Sequence, residues 1–153
     1  MEVTNAKRVV YRVIQHLEDV PERIFPLLCP VREYDWIDGW SCAMIYAETG
    51  RAELGGIFRT AFPDLGDEIW TITRYEPPLA IEFVRVAWNV AVVKLDIALE
   101  PDGNRRTRVR MAHTYTALSR FLEFLCIPDS EIRMIRDASA REQRVGRKRR
   151  RAS

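Results

Sequence analysis

The stretch that decides the fold is AVVKLDIALE (residues 91–100), followed by PDGN (residues 101–104) and RRTRVRMAHTYT (residues 105–116). Apolar or aromatic residues alternate with charged or polar residues in the first and last of these segments, as in strands with one buried face. The four residues between them favour a hairpin turn. The predicted inner face of the last strand carries Thr107, Val109, Met111, His113 and Tyr115, and its arginines face water.

The residues on the N-terminal side of this hairpin predict five more strands and one helical segment. Strands are predicted at Arg8–Leu17, at residues 40–48, after Gly55-Gly56 and through Phe62, at residues 68–75 and at residues 79–88. Pro77-Pro78 marks a corner, because proline cannot donate a hydrogen bond to a strand ladder. After the first strand, Pro21 fits the first turn of a helix, and Pro26 and Pro30 limit its length.

On the C-terminal side the periodicity becomes helical after Ser119. Phe121, Leu122 and Leu125 form an apolar stripe, and Pro128 interrupts it. A second helix is predicted to begin near Asp129 or Ser130.

Length and composition predict a single domain at residues 1–143 and a basic, disordered tail at residues 144–153. Hydrophobic residues make up 47% and charged residues 30% of the 153 residues, as is usual for a soluble domain. No apolar run approaches the roughly 18–20 residues of a membrane-spanning helix, and the N-terminus lacks the apolar stretch of a signal peptide. We therefore expect a cytoplasmic protein without a transmembrane segment.

The tail differs from the rest of the chain in charge. It holds six of the 24 basic residues, so 18 basic residues stand against 22 acidic ones elsewhere. Charge alone allows weak, nonspecific contact with nucleic acid or anionic lipid, but no aromatic residues are interleaved for base stacking. A solvated end of the chain is the more usual role of such a run.

The sequence predicts no metal site and no cofactor. The three cysteines have no CxxC spacing, and the two histidines do not form an HExxH motif. The sequence also lacks GxGxxG, P-loop and GxSxG motifs.

Along the chain, the predicted elements are one strand, a helix, six strands and a final helix. This order resembles the helix-grip fold of the START and polyketide-cyclase (SRPBCC) superfamily, which includes the birch-pollen allergens. The segments that carry the resemblance are VPERIF (residues 20–25), GIFR (residues 56–59), IWTITRYEPP (residues 69–78) and IEFVR (residues 81–85). The resemblance implies an α+β fold with a curved antiparallel sheet of about seven strands wrapped around a C-terminal helix. Members of the superfamily close the groove with one long helix, whereas Pro128 splits that region here.

This resemblance implies a groove between the concave face of the sheet and the C-terminal helix. Its predicted lining is Phe58, Thr60, Trp70, Ile72, Phe83, Arg85, Met111, His113, Tyr115, Phe121, Leu122 and Leu125. Apolar and aromatic walls with a few polar groups suit a small hydrophobic or aromatic molecule, lipid-like or polyketide-like. The same side chains would also serve as a core packed against the helix.

Arg85, His113 and Tyr115 are the candidate catalytic residues of an alternative function, a cofactor-free polyketide cyclase or dehydratase. Arg85 points inward by alternation and needs an anionic or carbonyl partner, either on a ligand or in the protein. His113 and Tyr115 face the same way and suit proton transfer, although a histidine on an apolar strand is more often a core residue. A third function class is a protein-interaction module, as in superfamily members that activate a chaperone ATPase. The sequence leaves the oligomeric state open.

Overall fold

The computed structural model describes residues 6–35, 41–62, 66–87 and 91–118. Within them, the strands are β1 (Arg8–Leu17), β2 (Cys42–Tyr46), β3 (Ile57–Phe62), β4 (Gly66–Glu76), β5 (Ala80–Ala87), β6 (Ala91–Pro101) and β7 (Thr107–Ala117). They form one antiparallel sheet in the order β1-β7-β6-β5-β4-β3-β2, which confirms the predicted sheet. No helix in this part of the chain is both long enough and apolar enough to cross a membrane.

A short helical stretch follows β1 and lies against the sheet. It consists of α1 (Pro21–Ile24) and two 3₁₀ segments, Phe25–Leu28 and Pro30–Asp35. Val20 is extended at the N-cap, and Pro21 occupies the first turn, where its missing N–H costs nothing. Prolines at positions 26 and 30 prevent a continuous helix, as the sequence predicts.

The two faces of the sheet differ in character, because side chains alternate along each strand. The outer face carries ion pairs between strands. Lys94 pairs with Glu82 (3.0 Å) and Arg110 with Glu100 (2.6 Å) on neighbouring strands, and Arg74 of β4 reaches across β5 to Asp96 of β6 (3.2 Å). Arg106, Arg108 and Arg110 are exposed there, as predicted. The inner face is mostly apolar and supplies most of the core.

The core lies between the helical stretch and the end of the sheet where β1 finishes. Its fully buried members include Ile81 and Leu99, and Phe25 packs edge-on against Tyr75 with ring centroids 5.5 Å apart. The Thr107 hydroxyl donates to the backbone carbonyl of Asp19 (2.6 Å), which ties β7 to the start of α1. One end of the inner face is thereby filled by protein side chains.

Two irregularities bend the sheet. The pairing register shifts between Ile72 and Arg74 in β4, and again between Met44 and Tyr46 in β2. Bulges of this kind increase strand twist and bend, so they contribute to a concave inner face.

Several strand boundaries differ from the sequence prediction by one or two residues, and contacts or backbone angles explain two of these differences. β2 ends at Tyr46 rather than at Glu48, because the backbone N–H groups of Glu48 and Thr49 donate to the Glu53 carboxylate instead of a ladder. β7 begins at Thr107 rather than at Arg105, which has a left-handed φ of 57° and belongs to the turn.

The predicted C-terminal helices, with Phe121, Leu122, Leu125 and Pro128, lie outside the described residues. The basic tail at residues 144–153 lies outside them as well. The expectation of a helix closing the groove therefore stays a prediction.

Candidate functional site

The described part of the predicted groove lining lies on one face of the sheet and in adjacent cross-strand rows. One row runs Phe58, Trp70, Arg85, Val93 and Tyr115, and the next runs Ile72, Phe83, Leu95, His113 and Tyr11. Met111 lies in a third row beside Ile97, and Thr60 lies opposite Glu68 beyond the first row. All nine predicted lining residues that the structure describes therefore share the inner face.

Three aromatic rings form a cluster within these rows. Phe58 stacks on Trp70 with ring centroids 5.7 Å apart and an interplanar angle of 11°. Phe83 meets both rings edge-on, at 6.0 Å from Phe58 and 6.3 Å from Trp70. Offset stacking and edge-to-face contacts are the geometries that aromatic quadrupoles favour, so the cluster is a rigid apolar wall.

Arg85 is buried and pairs with Glu68 on the neighbouring strand. Their side chains are only 5% and 3% exposed, and the Arg85 guanidinium donates to the Glu68 carboxylate. The guanidinium also lies 4.8 Å from the centre of the Trp70 ring, a cation–π distance. The Trp70 indole N–H in turn donates to the Thr60 hydroxyl (2.9 Å).

Arg85 thus has a protein acid as partner, one of the two alternatives that the sequence leaves open. A guanidinium held by Glu68 is not a ready anchor for a ligand carboxylate, because the carboxylate would have to displace Glu68. The pair instead gives the groove a polar end within two residues of the strand ends, beside the aromatic cluster.

Glu68 is a site residue that the sequence reasoning missed. Its spacing in the sequence could have identified it. Glu68 precedes Trp70 and Ile72 by two and four residues, so the alternation of side chains along β4 turns all three inward. An acid at an inward position of one strand and Arg85 at an inward position of the next point to an ion pair across the sheet.

His113 and Tyr115 lie side by side one strand beyond β6. Their rings are 6.3 Å apart and 14° from parallel, and Tyr11 of β1 meets Tyr115 edge-on at 6.1 Å. His113 is 7% exposed. Arg85 is two strands away, so its Cα lies about 10 Å from that of Tyr115 at ordinary strand spacing. The three candidate catalytic residues therefore form two separate groups.

The middle of the inner face keeps accessible surface. Four inward side chains there are only half-buried: Trp70, Leu95, Met111 and Tyr115. Their row neighbours Ile72, Ile81, Phe83 and Val93 are buried to 4% exposure or less. Interleaved buried and accessible side chains are what the wall of a groove presents, whereas a filled core would bury them all.

A second acidic residue, Glu33, belongs to the 3₁₀ segment Pro30–Asp35. Burial raises its pKa to about 8. Burial raises the pKa of the Cys42 thiol to about 11, and the nearby Glu33 and Cys29 add to this. Cys42 lies on the inner face in the same row as Thr60 and Glu68. Glu33 is therefore a desolvated acid close to Cys42, and the sequence reasoning did not identify it.

Among the described residues, no group of three or more histidine, cysteine, aspartate or glutamate side chains is placed to hold a metal ion. Cys29 and Cys42 are not joined in a disulfide. The Cys29 sulfur instead accepts the backbone N–H of Ala52 (3.3 Å).

Comparison with known proteins gives matches at the level of structure. No protein-family model and no curated protein matches the sequence. Truncated norcoclaurine synthase from Thalictrum flavum superposes with a TM-score of 0.69 at 13% identity, over 91% of this chain and 96% of that chain. The same enzyme in complex with dopamine and hydroxybenzaldehyde gives 0.70 at 12% identity, over 94% and 88%. A protein from Chromobacterium violaceum gives 0.64 at 13% identity, over 89% and 95%.

The chain has a helix-grip-like fold. Likeness at this level of identity concerns the fold alone and carries no residue roles. The fold expected from the sequence is confirmed in this coarser form, and membership of the START and SRPBCC superfamily stays a prediction.

Replacing Glu68 alone should lower the free energy of unfolding more than replacing both Arg85 and Glu68. Glu68→Leu leaves a buried guanidinium without its carboxylate, and should lower the free energy of unfolding by about 3–5 kcal/mol. The double variant Glu68→Leu/Arg85→Met removes both charges and should recover most of that loss. Denaturant unfolding of the two variants and of Arg85→Met completes the cycle. Additive single effects would show that the two side chains do not interact.

Glu33 should make the free energy of unfolding of the protein depend on pH. Its pKa is about 8 in the folded protein and 4.5 in the unfolded chain, so the folded state binds the proton more tightly. The free energy of unfolding should therefore fall as pH rises from about 4.5 to about 8. Relative to Glu33→Gln, the fall should reach at most about 1.4 kcal/mol per pH unit. Parallel stability curves for the two proteins across this window would contradict the assignment.

Proposed function

We propose that the protein binds a small hydrophobic or aromatic molecule in the groove on the inner face of its sheet. The observation that carries the proposal is the set of half-buried inward side chains in the middle of a face whose neighbours are packed. Such a face offers an apolar contact surface that the described part of the chain does not cover.

The chemistry of the lining supports an aromatic or polyketide-like ligand over a polar one. The aromatic cluster of Phe58, Trp70 and Phe83 provides flat surfaces for stacking. Charged groups are few, and the Arg85–Glu68 pair lies at one end. Ligand pockets commonly have apolar walls and a small number of placed polar groups that orient the ligand.

The structural neighbours add support by analogy. One of the norcoclaurine synthase structures contains dopamine and hydroxybenzaldehyde, two small aromatic molecules. A shared fold does not transfer a function, so this complex supports a small aromatic ligand by analogy alone. A cytoplasmic location stays a prediction from the sequence.

A cofactor-free cyclase or dehydratase is the second candidate, and the stacked His113 and Tyr115 are the observation that favours it. An imidazole beside a phenol at the wall of a groove suits proton transfer to or from an enolisable ligand. Arg85 has a weaker claim to a catalytic role than the sequence suggests, because Glu68 holds its guanidinium. Among the described residues, no contact favours the chaperone-activator alternative over these two.

Filling the groove should prevent binding. Met111 is half-buried in the middle of the inner face, so Met111→Trp should occupy space that a ligand needs. We expect the affinity for the uncharged fluorophore Nile red to fall by about tenfold or more, equal to at least about 1.4 kcal/mol of binding free energy. Fluorescence titration of the purified, folded proteins measures the effect.

The matched control is Val86→Trp, which adds the same side chain to the outer face, where Val86 is 48% exposed. This variant should bind Nile red as the unsubstituted protein does. Equal binding by all three proteins would place the fluorophore outside the groove and would refute the proposed site.

A further inference from the structure

The two edges of the sheet differ in how well they are protected from pairing with another chain. β2 forms one edge; it has five residues, and its register shifts between Met44 and Tyr46. β1 forms the other edge; it has ten residues and pairs with β7 from Arg8 to Leu17 without a shift. Short strands and bulges are two of the features that prevent edge-to-edge pairing. β2 has both features, and β1 has neither.

The side chains of β1 are accessible and mostly apolar. Val9 and Tyr11 on the inner side and Val10 and Ile14 on the outer side are all exposed. The strand contains no proline, glycine or lysine, and its charged residues are two arginines. A long, regular and apolar edge strand of this kind is a template for another strand.

The backbone of β1 directs hydrogen-bonding groups away from the sheet. The Ala117 N–H donates to the Lys7 carbonyl (2.9 Å), so these two residues form a hydrogen-bonded pair of the ladder. Such pairs alternate along an antiparallel ladder, so the odd-numbered residues of β1 bond to β7. The even-numbered residues direct their N–H and C=O groups towards the free edge. Within the described part of the chain, no strand pairs with that edge.

We propose that β1 is the interface of a symmetric dimer, in which the β1 strands of two copies pair antiparallel and join the two sheets. A two-fold axis perpendicular to the sheet aligns a strand antiparallel to its own copy. The axis keeps both inner faces on the same side and sets even-numbered residues against even-numbered residues. The backbone groups that point away from each sheet thereby meet. A dimer of this kind does not depend on the proposed function.

Charge complementarity favours a second copy that is aligned about Val13. This alignment sets Val9–Leu17 of each copy against the same stretch of the other and allows about eight backbone hydrogen bonds. It places Arg8 opposite the partner subunit's Glu18, just beyond the end of the strand, and symmetry creates this ion pair twice. The Glu18 side chain is exposed and already accepts from Arg106 of its own chain (3.3 Å). Its carboxylate therefore stays accessible to a second guanidinium.

Other alignments of the two strands are less favourable. Pairing about Arg12 would oppose two guanidinium groups directly, which destabilises a strand pair. Pairing about Tyr11 would use only residues 8–14. In the alignment about Val13, Arg12 lies opposite the partner subunit's Ile14. The two Arg12 side chains are then diagonal neighbours at the surface, where they can separate in solvent.

The joined sheet would set the two grooves side by side. Tyr11, which meets Tyr115 edge-on at 6.1 Å, would lie opposite the partner subunit's Gln15. The partner strand would therefore bound each groove on its β1 side, where Val9 and Tyr11 are exposed in a single copy.

Sedimentation velocity and light scattering across a wide range of protein concentrations test the dimer. The unsubstituted protein should reach twice the 17.9 kDa mass of the chain. Ile14→Lys places an ammonium group opposite the partner subunit's Arg12, twice in each dimer. It should raise the dissociation constant of the dimer by about tenfold or more.

The matched control is Val86→Lys, which adds the same charge to the outer face within the sheet. Val86 is 48% exposed and Ile14 is 52% exposed, so the two substitutions differ in strand position rather than in accessibility. Val86→Lys should leave the dissociation constant unchanged. Circular dichroism and thermal unfolding establish that each variant is folded.

Cross-linking tests the alignment. In a chain whose cysteines at positions 29, 42 and 126 are replaced by serine, Val13→Cys places two thiols on opposed residues. The Cβ atoms of such a pair lie about 4.5–5.5 Å apart, so a small adjustment allows a disulfide. Mild oxidation should therefore give a covalent dimer. Tyr11→Cys should stay monomeric on a non-reducing gel, because its two thiols would be separated by about 13 Å along the strands.

Each contrary result overturns a stated part of the proposal. A folded protein that is monomeric at every concentration would overturn the second copy as the occupant of this edge, and would leave an extended segment of another protein as the alternative. A dimer that Ile14→Lys does not weaken, or that Val86→Lys weakens equally, would overturn β1 as its interface. Preferential cross-linking of Tyr11→Cys would overturn the alignment about Val13. None of these results bears on Nile red binding in the groove.

Discussion

The register of the antiparallel ladder is the constraint on which the rest of the structure depends. Between β5, β6 and β7 it holds Phe83, Leu95 and His113 in one row and keeps the arginines of β7 on the outer face. A slip of one residue would reverse every side chain of a strand. It would bring Arg108 and Arg110 inward and break their ion pairs with Glu100 on the outer face. The apolar inner face and the charged outer face therefore fix a single register.

Within that register, the inner face combines a packed end with an accessible middle and a polar end. The helical stretch and core residues such as Ile81 and Leu99 fill the end where β1 finishes. The opposite end carries the Arg85–Glu68 pair, the Trp70–Thr60 hydrogen bond and the β2 residue Cys42. In the proposed function, a ligand with one polar group would direct that group towards the polar end, which can solvate or neutralise it.

Much of the fold could be predicted from the sequence, because alternation and proline positions are local signals. The inward-facing residues of β6 and β7 follow from the alternation of apolar and polar residues along each strand. The division of the first helical stretch follows from Pro26 and Pro30. The turn before β7 was predicted too short, since the left-handed conformation of Arg105 has no marker in its residue type.

The site was harder to predict because it depends on contacts across strands. Alternation turns Arg85 inward, but only the β4–β5 register places Glu68 diagonally across from it rather than a ligand. Glu33 lies in a 3₁₀ segment without a periodic pattern, so nothing in the local sequence indicates which way it faces. Its position beside Cys42 arises from the packing of that segment on β2, which brings together residues distant in sequence.

The most direct measurement is native mass spectrometry of the purified protein, followed by mass analysis of whatever it releases on denaturation. A groove that holds a small molecule predicts a bound mass in stoichiometric amount, and release of an apolar compound with an aromatic or alicyclic ring. A folded protein that carries no such mass, and acquires none when incubated with a mixture of small aromatic amines, alcohols and acids, would contradict the account.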